Sequence, residues 1–479
     1  MILNHCSPEE KNISSTLFQD FYERVQKKGI SLHSALVFSD DSIVSEVYFA
    51  PFKKNDLHRM FSVAKSAVAI AIGLLLDSGR ITLDDRICKY FPEKLSEPVH
   101  PYLEELTIRD MLMMRTCHAQ TTYNKFDFSS DWVGSYFTTV PTHKPGTVFH
   151  YDTSAPHVLS ALVEKLTGKP TWDYIRDSLP ELSLSSESYL IKDGQGVSFG
   201  GSGLVATSED MLKLGIFFLN EGLVDGKQLI NKAFCHDAVS DLTPNCVAAQ
   251  LPSEACGYGY YVWRTERDGY VLYGMGGQLV IICPAQRIIL VTTADTQGYS
   301  GGNQVIYDAF YEEIVDKIGS NVPTANGCRA LQAYCESARM NTVLSTVRGS
   351  HLPGEDELRN AIYTLSDNGS GFKALGIRIE KDGGTLTLTD TDGHEYAVPF
   401  GYDINKEGTL PLYGERTFGS GAYIDKDTFY IVLRIIGERV GSVHFELYFE
   451  DTEITVFAKK IEETSFKEFN AHLHGFLTR

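Results

Sequence analysis

The chain has 479 residues, 43% hydrophobic and 22% charged, enough for two or three domains with an ample core and ordinary for a globular protein. A formal net charge of −19 argues against nucleic acid or an anionic membrane surface as a partner. The longest apolar run, Ala67 to Leu76, is about half of what a bilayer span needs. Met1 to Glu10 has no basic region leading into an apolar one, so no secretory leader is expected. Nine scattered cysteines without a Cys-x-x-Cys pair predict reduced thiols in a cytoplasmic protein, with no disulfide framework and no structural zinc.

Helical periodicity runs from about Ser15 to Lys28, and Ser34 to Pro51 predicts a hairpin turning at Asp40-Asp41-Ser42. The apolar run after Ser62 predicts a buried helix stopped by Asp77-Ser78-Gly79. Further helices are expected over Leu106 to Met114, Pro156 to Leu166 and Ser208 to Leu219, the last with Ser208 as N-cap. Tyr258 to Trp263, Tyr270 to Tyr273, Gln278 to Cys283 and Ile288 to Thr293 read as consecutive antiparallel strands, followed by a helix over Asn303 to Ile318. Helices flanked by strands at both ends predict an α+β domain over 1–320, with one antiparallel sheet built from both ends and backed by a helical region.

Residues 321–340 read as a linker with a short helix, and 341–479 as a β-rich domain. There Thr385 to Thr389 alternates strictly, and Val443, Phe445, Leu447 and Phe449 share one apolar face. A closed or strongly curved antiparallel sheet of about eight strands is predicted, with a final helix over Ser465 to Phe476.

Ser62 and Lys65 stand three apart at the head of the buried helix, so their side chains share a face. The helix N-terminus favours developing negative charge at the serine. The apolar surroundings disfavour the ammonium and lower the lysine pKa, which makes a nucleophile with its base attached. Tyr151 follows the turn Lys144-Pro145-Gly146-Thr147, and a nearby ammonium would stabilise its phenolate if it met Lys65. In Gly274-Met275-Gly276-Gly277-Gln278, glycines at a strand end mark close approach. Free N–H groups of Gly276 and Gly277 would complete an oxyanion hole with the Ser62 N–H. Taken singly, each segment has a plainer reading: Tyr151 is one of 25 tyrosines, and the glycines fit a hairpin turn. His58 and His118 read as structural histidines, Cys117 has no activating neighbour, and no metal-ligand spacing is present, so neither metal nor cofactor is expected.

In order along the chain, Phe61-Ser62-Val63-Ala64-Lys65-Ser66, Leu106-Thr107-Ile108-Arg109-Asp110-Met111-Leu112, Lys144-Pro145-Gly146-Thr147 leading to Tyr151-Asp152-Thr153, Thr167-Gly168-Lys169, Gly200-Gly201-Ser202-Gly203 and Gly257-Tyr258-Gly259-Tyr260 resemble the serine β-lactamase and penicillin-binding-protein superfamily, in its class C-like branch. The resemblance covers about residues 15 to 318. It implies a β-lactamase/transpeptidase-like fold and a serine hydrolase acting on esters or amides through an acyl-enzyme. Ser62 would be the nucleophile, Lys65 the base and Tyr151 the proton shuttle. Thr153, Gly276, Gly277 and Gln278 would contact substrate or oxyanion. The β-rich domain is similar to lipocalin-like barrels appended to some of these hydrolases.

Two departures stand out. Thr153 replaces the asparagine of Tyr-x-Asn, and no lysine or histidine occupies the third element. Loss of that cation argues against penicillin-like substrates. Two alternatives stay open: a catalytically weak relative that binds a ligand or self-assembles into a homo-oligomer, and a penicillin-binding-protein-type thioesterase or transpeptidase.

Overall fold

A computed structural model describes residues 1–125, 127, 129–320, 322–350, 361–461 and 468–478. It divides into two compact units, Met1–Val343 and Leu344–Arg479.

In the first unit, seven strands among the described residues form one sheet, in the order Asn4–His5, Ser42–Tyr48, Ser31–Ser39, Ile288–Asp295, Gln278–Cys283, Tyr270–Gly274, Trp263–Arg264. The N-terminal hairpin joins the C-terminal strands where Leu36 pairs with Val291, so residues far apart in sequence share the central ladder. Those strands are buried on both faces, with Ala35–Phe38 and Ile288–Val291 as continuous apolar runs. The helix Val63–Asp77 is equally enclosed: every residue from Val63 to Gly73 is buried, as the apolar run from Ala67 requires.

Several elements differ from the sequence expectation. Thr207, not Ser208, caps the helix Ser208–Leu219, its hydroxyl accepting from the Asp210 N–H at 3.1 Å. Tyr258 to Trp263 contributes only the strand Trp263–Arg264. Tyr261 is left-handed (φ 58°), and a Cβ at Gly259 would meet the Ala238 carbonyl at 2.2 Å, so this stretch turns rather than extends. The helix expected through Ile318 is α only over Gly302–Ala309 and widens to a π turn over Phe310–Ile314.

The helix Ala325–Met340, expected in a linker, belongs to the first unit. Tyr334 stacks on Tyr22 with centroids 5.8 Å apart, and Val343 N–H donates to the Ala50 carbonyl at 2.8 Å. Its apolar side is thereby buried against the first helix, Ser15–Lys27.

Among the described residues the second unit is a closed β-barrel of nine strands, with the short strand Lys406–Thr409 paired alongside Arg416–Tyr423. Closure comes where Gly401 meets Ser420, and Gly419 lets the Pro399 carbonyl approach to where a Cβ would sit 2.1 Å away. The expected final helix is instead the strand Ala471–Leu477, in which Leu473 pairs with Val456. Period-two burial of Leu473 and Gly475 overrides helical propensity there. Ser465, where that helix was to begin, lies outside the described residues. No helix among them is long and apolar enough to cross a membrane.

Candidate active site

The strand His58–Phe61 pairs with Leu204–Ala206 and ends at Phe61, which is left-handed at φ 45°. A bulky residue in that region costs roughly 1–2 kcal/mol. Burial of the Phe61 ring, with the Arg59 guanidinium 5.4 Å from its centroid, offsets the strain. The sharp turn leaves Ser62 half-buried as the residue leading into the helix Val63–Asp77.

One turn along that helix, Lys65 is only 1% exposed. Its Nζ donates to Ser62 Oγ at 2.9 Å and to the Gly201 carbonyl at 2.5 Å. Gly201 is needed there because a Cβ would meet the Thr153 carbonyl at 2.4 Å. Burial brings the Lys65 pKa down to about 7, against the pull of Asp152, which favours the ammonium.

Asp152 is fully buried at the head of the helix Ser154–Thr167. Its carboxylate accepts from the Ser154 hydroxyl at 2.5 Å, the Ser154 N–H at 2.7 Å and the Ala155 N–H at 3.3 Å. Burial nonetheless raises its pKa to about 6. Sequence reasoning passed over Asp152, although it is the middle residue of the Tyr151-Asp152-Thr153 element.

Tyr151 meets Lys65 differently from the expectation. The ammonium lies over the ring face, 4.7 Å from its centroid, and Trp263 packs on the same ring at 5.2 Å. Hydrogen bonds with Ser62 and Trp263 favour the phenolate, but burial outweighs them and pushes the pKa above its ordinary value. Tyr151 is therefore a neutral phenol at pH 7, and the phenolate expected from the sequence is corrected. Thr153 follows, half-buried, with its N–H on Thr121 Oγ1 at 3.1 Å.

The third element reaches the site through Gly274, where a Cβ would meet the Met60 carbonyl at 2.3 Å. Gly276 and Gly277 (φ 78° and 89°) form the turn beyond it, their carbonyls accepting from Thr296 N–H and Thr292 Oγ1. Gln278 does not face the site. Its Nε2 donates to the Met275 and Ala294 carbonyls, and its Oε1 accepts from the Ala294 N–H. At 1% exposure, its amide staples the turn and leaves nothing for a substrate.

The histidines are structural. His58 donates through Nδ1 to the Arg59 carbonyl, so its Nε2 accepts from His33 Nδ1 at 2.9 Å, and burial pushes its pKa down to about 4. His118 is buried on the Tyr136 carbonyl, and burial pushes the Cys117 thiol up to about 12. Sequence reasoning also missed Trp263, which packs on both Tyr151 and Tyr273 (centroids 5.2 and 5.8 Å), and no short motif announces it.

The family model described as Beta-lactamase matches residues 17–309. The chain belongs to that family. Within the wider β-lactamase and penicillin-binding-protein superfamily it is similar to a 6-aminohexanoate-dimer hydrolase of Paenarthrobacter ureafaciens, 23% identical over 277 residues, 53% of this chain and 70% of that protein. Two solved structures share the fold. The octameric penicillin-binding protein homologue from Pyrococcus abyssi aligns with TM-score 0.50 and 15% identity over 96% of this chain and 99% of its own. A penicillin-binding protein homologue from Caulobacter crescentus aligns with TM-score 0.50 and 15% identity over 63% and 99%. The first unit carries the fold of the β-lactamase family.

Proposed function

We propose that this β-lactamase-family protein is a serine hydrolase that cleaves small esters or amides through an acyl-enzyme on Ser62. The observation that carries this reading is the 2.9 Å contact of Lys65 Nζ with Ser62 Oγ, made by a lysine whose burial leaves it substantially neutral at pH 7. Neutral Lys65 accepts the serine proton as Oγ attacks the carbonyl carbon, a contribution of about 10²–10⁴-fold. The N–H groups of Ser62 and of the Gly276–Gly277 turn bind the oxyanion, each worth about 3–4 kcal/mol in such sites. Tyr151, protonated and beside Ser62, passes a proton to the leaving group. The Lys65 ammonium returns its proton to the Tyr151 phenolate, so both groups regain their starting forms. Water then attacks the acyl-enzyme, giving a proton to neutral Lys65, which passes it to Ser62 Oγ as the acid leaves.

The relative named as a 6-aminohexanoate-dimer hydrolase supports a small, non-β-lactam substrate. The missing cation in Gly274-Met275-Gly276-Gly277 supports the same. The odd number of cysteines makes a cytoplasmic site part of the proposal.

A second reading, a catalytically weak protein that binds a ligand or self-assembles, rests on Thr153 and Met275. One experiment separates the two: fluorophosphonate labelling and p-nitrophenyl acetate turnover in wild type and Ser62→Ala. Labelling and turnover in wild type alone support the hydrolase; neither in wild type supports the second reading.

A further inference from the structure

Glu254 is a buried acid without a charge partner. It ends the short 3-10 turn Pro252–Glu254 and is 4% exposed. Among the described residues no lysine, arginine or histidine pairs with it; the side-chain hydrogen bond to its carboxyl comes from Tyr307 Oη at 3.2 Å. A buried carboxyl in such surroundings costs several kcal/mol when ionised unless a cation meets it. Burial accordingly raises its pKa to about 7.

Its place is held from several sides. Asn245 Nδ2 donates to the Glu254 carbonyl at 2.8 Å, and Ser253 Oγ is bound by Gln304 Nε2 at 2.7 Å and donates to Glu266 at 2.9 Å. The turn packs against Trp263–Arg264, the strand that carries the indole covering Tyr151. Negative charge on Glu254 reaches the hydroxyls of both Tyr151 and Tyr273 and raises their pKa values. Tyr151, Trp263 and Tyr273 form a continuous wall, with centroids 5.2 and 5.8 Å apart, which the Glu254 turn meets at the Trp263 strand and Ser62 meets at the Tyr151 hydroxyl.

A carboxylate behind aromatic faces is the chemistry that receives an ammonium ion. The cation that would hold a substrate carboxylate is missing from Gly274-Met275-Gly276-Gly277, so the sign of the site is inverted. Tyr151 is also the group proposed to protonate the leaving group, which puts Glu254 on that side of the scissile bond.

We infer that Glu254 and the Tyr151–Trp263–Tyr273 wall select substrates whose leaving group carries an ammonium ion. This deepens the hydrolase reading and rests on it. The net charge of −19 steers cationic substrates toward the protein in the same sense.

The test compares kcat/KM for acetylthiocholine and for its uncharged carbon isostere, 3,3-dimethylbutyl thioacetate, by thiol release. Wild type is expected to prefer the cation by about tenfold or more. Glu254→Gln should bring that ratio close to one, and Glu254→Asp should give an intermediate ratio. Fluorophosphonate labelling of Ser62 and a thermal melt establish that each variant is folded. A wild-type ratio near one, or a preference that survives in Glu254→Gln, overturns the inference while leaving the hydrolase intact. The wild-type ratio needs no variant, so a misfolded Glu254→Gln does not shield the inference. Absence of both label and turnover overturns the hydrolase reading itself.

Discussion

Lys65 Nζ stands 2.9 Å from Ser62 Oγ while the same ammonium lies 4.7 Å from the centre of the Tyr151 ring. One buried amine thus touches both the candidate nucleophile and the candidate proton donor. Lys65→Met, which keeps the volume and removes the base, is expected to lower kcat by about 10²–10⁴-fold while leaving the melting temperature near that of wild type. Steady-state ester hydrolysis and a thermal melt check both parts.

The acid limb of the rate profile reports Lys65. The base works when neutral, so kcat/KM should rise with pH and level off above about 7. Asp152 favours the ammonium, and Asp152→Asn removes that pull while keeping an oxygen for Ser154. The limb should then move to lower pH. An unmoved limb in a folded Asp152→Asn would separate Asp152 from the lysine.

Gly201→Ala tests the approach that gives Lys65 its second acceptor. The added Cβ would lie 2.4 Å from the Thr153 carbonyl and 2.5 Å from its methyl carbon. Relief requires backbone movement between the lysine and Tyr151-Asp152-Thr153. A stability loss of about 1–3 kcal/mol by denaturant melt is expected, together with a larger loss of activity.

Acid stability should carry the mark of His58. Its folded-state pKa is lowered from 6.5 to about 4, so between those values the unfolded chain binds the proton and the folded chain does not. Stability from this group is therefore complete above pH 6.5 and is lost as pH falls toward 4. His58→Gln should flatten the wild-type slope over that range in melts at stepped pH.

Penicillin-like substrates should be poor ones. A buried ionic anchor is commonly worth 2–5 kcal/mol, so the missing cation in Gly274-Met275-Gly276-Gly277 predicts a chromogenic cephalosporin to be hydrolysed with kcat/KM lower than that of p-nitrophenyl acetate by roughly 30-fold or more.

Much of this was legible in the sequence because local rules and tertiary context agreed. The apolar run after Ser62 had to be buried, and Ser62 and Lys65 on one face of it had to share an environment. The alternation at Thr385–Thr389 and Val443–Phe449 fixed two barrel strands in the same way. What was not legible depended on long-range contact. Gln278 sits beside the glycine turn in sequence, yet its amide is taken up by Ala294 on the neighbouring strand. Asp152 looked like a spacer until burial set it against Lys65. Glu254 lies in a Pro-Ser-Glu turn with no periodicity to flag it, and only the fold brings it to Tyr151. At the C-terminal end, pairing with Glu453–Ile461 made a strand of residues that taken alone permit a helix.

Covalent capture tests the central claim most directly. Wild-type protein treated with a fluorophosphonate at pH 8, digested and analysed by mass spectrometry should carry one adduct on the peptide containing Ser62. Ser62→Ala should carry none, and the label should form more slowly as pH falls below about 7. A folded wild type that is not labelled at Ser62, or that is labelled equally after Ser62→Ala, would contradict the account.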